Sequence, residues 1–156
     1  MKTKILLIII AFIASSMVVQ AQGNFFEKLS DHDDVTTVYV SKSLLRMVPD
    51  MDVMADMDIK SIAGKLEQLE VYNTESKAAM DIIKKEMSKI ASNKSYEALM
   101  TIKDKGDKIN FYALKDKDKF KDLIMYVNNP TGCTIIRIVG SFTAEDIQAI
   151  TKSNTD

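Results

Sequence analysis

The chain has 156 residues, a net charge of −1 and one cysteine, Cys133. That is enough for one domain with its own core, and a single thiol excludes an intramolecular disulfide. Its 21 basic residues are interspersed with 22 acidic ones and form no cluster on an aromatic background, so nothing supports nucleic-acid binding.

Residues 1–21 read as a secretory signal peptide. Lys2 and Lys4 precede the apolar run Ile5–Ala14, and Val19 and Ala21 are the small residues three and one before a cut. That run is about ten residues, against roughly 20 needed to span a bilayer. Cleavage after Ala21 leaves Gln22 first, where a lipoprotein would need a cysteine. The expected product is a single domain over residues 22–156 with no transmembrane segment, soluble in a periplasm or outside the cell. Loss of Lys2 and Lys4 makes it more acidic than the whole chain.

Asn24–Ser30 predicts a short helix with Phe25, Phe26 and Leu29 on one side. Asp31–Asp34 is a polar break. Val35–Val40 is dense in β-branched and aromatic residues and predicts a strand. Ser41 stands where a helix cap is wanted, Leu44, Leu45 and Val48 follow at helical spacing, and Pro49 ends that helix. Residues 50–58 are acidic and methionine-rich. A helix over Ile59–Leu66 and a short strand over Leu69–Tyr72 come next.

Asn73 is placed to cap the longest helix. Ala79, Ile82, Ile83, Met87, Ile90 and Ala91 make its apolar face, and Ser92-Asn93 ends it. Tyr96–Ile102 alternates, with Tyr96, Ala98, Met100 and Ile102 on one side. A turn over Asp104–Asp107 joins it to the partner strand Ile109–Leu114. Lys115–Lys121, with Asp118 and Asp122, reads as a charged loop. Residues 120–127 fit a helix or a strand; the turn Asn128–Gly132 and the plain strand Cys133–Val139 favour a hairpin, with a strand from about Asp122. Thr143 opens a last helix with Asp146 in the reciprocal capping position, and Phe142 and Ile147 can staple its start.

The resulting fold class is α+β: an antiparallel sheet with a C-terminal four-strand meander and helices packed on one face.

The stretch Phe26-Glu27-Lys28-Leu29, followed by Asp33-Asp34-Val35-Thr36-Thr37-Val38-Tyr39-Val40-Ser41-Lys42, resembles the opening of domain-of-unknown-function family 4252. Arg46-Met47-Val48-Pro49 and Gly140 also suit it. The resemblance implies a small exported protein of Bacteroidetes-type Gram-negative bacteria. It brings no activity, cofactor or catalytic residue.

Two groups compete as metal sites. Met51, Met54 and Met57, with Met47 before them, have the spacing of a soft thioether set for Cu(I); the simpler account is flexible core filler. Asp50, Asp52, Asp56 and Asp58 between them lack the glycine and terminal glutamate of an EF-hand loop. His32 and Asp33, with Asp31 and Asp34, have ligand chemistry, but a turn before a strand is where Asp belongs for local backbone bonding. No residue is assigned as a metal ligand on these grounds.

Nucleophilic catalysis would have to join Cys133 to His32, and Cys133 opens an apolar strand. Glu67 and Glu70 form only the kind of acidic pair any polar segment supplies. There is no Gly-x-Ser-x-Gly, phosphate loop or His-Glu-x-x-His. These patterns therefore point to no catalytic residue and no cofactor. The expected function is an exported non-catalytic domain binding an envelope protein or small ligand. The alternatives are a periplasmic metal-binding protein using Met51, Met54 and Met57, and an uncharacterised enzyme.

Overall fold

A computed structural model describes residues 25–47 and 60–152. In chain order these form helix α1 (residues 25–30), β1 (Thr36–Ser41), α2 (Lys42–Met47), a 3-10 helix (Lys60–Lys65), β2 (Leu66–Thr74), α3 (Lys77–Ser92), β3 (Tyr96–Asp104), β4 (Asp107–Asp116), β5 (Lys119–Asn128), β6 (Cys133–Phe142) and α4 (Ala144–Lys152). The strands make one antiparallel sheet in the order β1-β2-β6-β5-β4-β3. The four C-terminal strands are neighbours in sequence order, as a meander requires.

Residues 119–128 are strand throughout, which decides the helix-or-strand ambiguity. The charged run Lys115–Lys121 is not a loop: its ends belong to β4 and β5, and only Lys117 and Asp118 turn between them. Lys117 takes a positive φ there, as Lys105 and Gly106 do in the β3–β4 turn. β2 is longer than expected because it is paired on both sides, to β1 and to β6. It incorporates Asn73, which accepts a hydrogen bond from the Thr134 hydroxyl at 2.8 Å and caps nothing; Ser76 stands at the α3 N-cap. In β3 a bulge between Ala98 and Met100 breaks the alternation. Tyr96 and Ala98 oppose Leu114 and Tyr112, whereas Met100 and Ile102 oppose Phe111 and Ile109 on the other face.

Helices cover both faces, which corrects the one-face expectation. On the first face α1 (Phe25, Phe26, Leu29) and α3 (Ala79, Ile83, Met87, Ile90) pack with Tyr72, Ile135, Ile124, Tyr112 and Tyr96. On the second, Leu45 of α2, Ile62 of the 3-10 helix and Ile147 of α4 pack with Leu69, Ile138, Leu123 and Phe142. Strand side chains alternate, and both sets are apolar, so each face needs cover. The expected stripe of α3 is narrower than predicted, because Ile82 is exposed.

The start of α4 forms as expected. The Thr143 N–H donates to the Asp146 carboxylate at 2.8 Å, and the Asp146 N–H donates to Thr143 Oγ1 at 3.4 Å. Lys65 pairs with the same carboxylate at 2.7 Å, tying the 3-10 helix to α4. The Lys65 ammonium and then the Thr143 amide hold the Asp146 carboxyl below its usual range. Its contribution is thus complete above the ordinary carboxylate pKa and is lost as pH falls through the lowered one. Asp146→Ala should cost about 1 kcal/mol at neutral pH. In urea unfolding the deficit should shrink as pH falls below the ordinary carboxylate range.

Candidate functional site

The buried polar centre of the molecule forms around Arg137, the charged member of an otherwise apolar strand segment. Glu70 on β2 lies directly opposite it, and Asp122 is two residues from its partner Ile124 on β5, so all three share the first face. Arg137 Nε donates to both Asp122 oxygens at 3.1 Å, and a terminal nitrogen donates to Asp122 Oδ2 at 2.9 Å. The other terminal nitrogen donates to Glu70 Oε2 at 3.1 Å. The Tyr96 hydroxyl donates to Asp122 Oδ2 at 3.3 Å, and the Gln68 amide donates to Glu70. The Phe26 ring of α1 lies 4.3 Å from the guanidinium carbon, a cation–π contact.

One cation serves two carboxylates here. Burial pushes the Asp122 carboxyl up, Arg137 pulls it back, and Glu70 adds to the upward push. Burial alone would lower the Arg137 pKa, but Asp122 and Glu70 outweigh it and hold the guanidinium charged. Tyr96 is raised, first by burial and then by Asp122. All three guanidinium nitrogens are engaged, and both carboxylates are buried. The group is a clamp joining β2, β6, β5 and the start of β3. General acid–base work needs an oxygen within reach of a substrate, and Phe26 closes this side.

Of the three, the sequence patterns raise only Glu70, as half of a Glu67–Glu70 pair. The usable signal was Arg137 itself: a charge among isoleucines on a strand facing a core demands buried partners. Glu70 and Glu67 do not act as a pair, since Glu67 is exposed and bonds Lys42 at 3.3 Å.

The candidate ligands and nucleophile of the sequence lie elsewhere. His32 Nδ1 accepts the Asp34 N–H at 3.2 Å, a local turn bond, and Asp33 is exposed. Among the described residues no three His, Cys, Asp or Glu side chains gather as a metal site. Met51, Met54 and Met57, and the aspartates between them, lie outside the described residues. Cys133 is buried, and burial pushes its thiol up to about 11, the opposite of an activated nucleophile.

The solvent-facing feature is the edge made by β1 and α2. Large apolar side chains exposed among the described residues are Val38 (46%), Tyr39 (59%), Leu44 (41%), Met47 (77%), Ile82 and Ile102. Four of these six lie within ten residues of sequence. Ser41 Oγ accepts the Leu44 N–H at 3.4 Å and starts α2 in a phase that buries Leu45 and turns Leu44 and Met47 outward. β1 ends the sheet, so no described strand pairs with its outer edge. The opposite edge, β3, carries a bulge and the charges Glu97, Lys103 and Asp104. Such features blunt an edge against pairing; β1, with the sequence TTVYVS, has none.

A family model described as "Domain of unknown function (DUF4252)" matches residues 26–150. The chain belongs to this family. The DUF4252 span runs from α1 into α4 and takes in both the Arg137 clamp and the β1–α2 edge. No curated protein and no solved structure matches the chain. The DUF4252 name carries no activity, so function rests on the residues themselves.

Proposed function

We propose that this DUF4252 chain is an exported, non-catalytic domain, residues 22–156, that binds a partner in the cell envelope along β1 and α2. Export rests on the lysines, short apolar core and small residues of positions 1–21. The periplasm or the outside of the cell is its place of work. The observation that carries the binding reading is the contrast between the two sheet edges. β3 is charged and bulged, whereas β1 is uncharged, exposes Tyr39 and is followed by exposed Leu44 and Met47 of α2. An open strand edge offers a row of backbone donors and acceptors, and neighbouring apolar side chains supply the buried area.

The test places a photo-reactive phenylalanine analogue at Tyr39 or at Ile102 in exporting cells. Intact mass of the recovered chain should begin at Gln22. Tyr39 should give a discrete adduct that is lost when Val38→Lys is added, and Ile102 on the guarded edge should give none. Equal labelling from both edges, or an adduct indifferent to Val38→Lys, would refute the binding edge. Recovery of Met1–Ala21 on a cytoplasmic form would refute export.

A further inference from the structure

The charges at the two ends of β1 identify what the edge fits. An acidic turn, Asp31, Asp33 and Asp34, precedes the strand, and Lys42 and Arg46 follow it. Asp31, Asp33 and Asp34 are exposed. Lys42, the first residue of α2, is half-buried and pairs with Glu67 at 3.3 Å on the solvent side, an interaction of low worth that is readily exchanged. A strand that is negative at its start, neutral along its length and positive at its end is complementary to itself reversed. From this we infer that the occupant of the β1 edge is a second copy of the chain, joined antiparallel across a two-fold axis to give a continuous twelve-stranded sheet. This inference rests on the β1–α2 edge being the binding surface.

Register follows from hydrogen-bond parity. In an antiparallel ladder only alternate residues of an edge strand point their N–H and C=O outward. A two-fold normal to the sheet pairs outward residues with outward residues only if it passes through a residue. The axis through Val38 sets Val38 against its own copy, Tyr39 against Thr37 and Val40 against Thr36, and brings the acidic turn before each β1 beside the start of the other copy's α2, where Lys42 lies. Opposite charges then meet beyond both ends of the paired strands, once at each end. The facing pairs are β-branched and aromatic, the combination favoured across strands. Moving the axis to Tyr39 would slide the copies by two residues and carry the acidic turn past Lys42.

Sedimentation equilibrium of the protein recovered after export should give a dimer at tens of micromolar. Val38→Lys puts two like charges face to face on the axis and should leave only monomer, with unfolding unchanged. Lys42→Glu should raise the dissociation constant about tenfold, from loss of two pairs of about 0.7 kcal/mol each. Val38→Cys should form an interchain disulfide on oxidation, because its copy lies within bridging distance; Thr36→Cys should not, because its copies lie too far apart. Wild type is the control, its Cys133 being buried. A monomer throughout, a dimer that survives Val38→Lys, or equal bridging from Val38→Cys and Thr36→Cys would overturn the inference. A monomer whose Tyr39 adduct contains a different protein removes the second copy but leaves the binding edge. A monomer with no Tyr39 adduct removes both.

Discussion

Arg137→Met should destabilise the protein by about 3–5 kcal/mol, among the largest single effects expected. The side chain that replaces it is similar in length and still packs under Phe26, so the loss is not one of volume. What changes is the charge balance. Asp122 and Glu70 are left buried without the guanidinium that engages both. With Arg137 present, burial already pushes Asp122 up; without it, the restraint on that rise is gone. A carboxyl whose folded pKa lies above its unfolded value stabilises the fold when protonated and loses that contribution as pH rises. The deficit of Arg137→Met should therefore be largest at neutral pH and shrink as pH falls toward about 4. Urea unfolding of wild type and variant at both pH values measures it. Replacing Arg137, Asp122 and Glu70 together by apolar residues should recover most of the loss, since a whole buried ion group exchanges for packed apolar groups at little cost. A deficit under about 1 kcal/mol for Arg137→Met alone would mean that the carboxylates are wetter than their burial indicates.

That clamp also marks the limit of what could be read from the chain. Local signals were legible: the β-branched run of β1, the spacing of Ala79, Ile83, Met87 and Ile90 on α3, the Gly106 turn, and Thr143 with Asp146 opening α4. Each depends on residues a few positions apart. The Arg137 partners lie 15 and 67 residues away, and no periodicity joins them. Asp122 reads as loop because lysines precede it; it is buried because Arg137, facing Ile124 two residues along β5, reaches it from β6. The full length of β2 was hidden by Glu67, Gln68 and Glu70, which a strand flanked on both sides tolerates when one pairs with an arginine. The β3 bulge inverts Met100 and Ile102 without any breaker residue to announce it. The exposure of β1 is a property of sheet order, so the edge we assign to binding was readable as a strand but not as an edge.

Gly140→Ala should be nearly as damaging, for a reason of space alone. Gly140 lies opposite Leu66 where β2 begins, and no positive φ requires glycine there. A Cβ at this position would collide with the Lys65 carbonyl oxygen and stand 2.5 Å from Phe142 Cζ. Neither neighbour yields easily. Lys65 ends the 3-10 helix at the bulge between Leu66 and Gln68, and Phe142 is wholly buried in the second core. Overpacking of this kind costs about 1–3 kcal/mol, with the upper end expected where one obstacle is backbone. The other glycines calibrate the claim. Gly132→Ala meets the Thr74 carbonyl at 2.9 Å and should cost less, while Gly64→Ala meets nothing within 4 Å. In the 3-10 helix that last change should be neutral or slightly stabilising. Thermal unfolding should therefore rank Gly140→Ala below Gly132→Ala below Gly64→Ala. The order also bears on binding, because the core that Phe142 fills holds Leu45 and so sets α2 beside β1. If Gly140→Ala matched Gly64→Ala, the 3-10 helix would not be seated on β6, and the support for the β1–α2 edge would be lost with it.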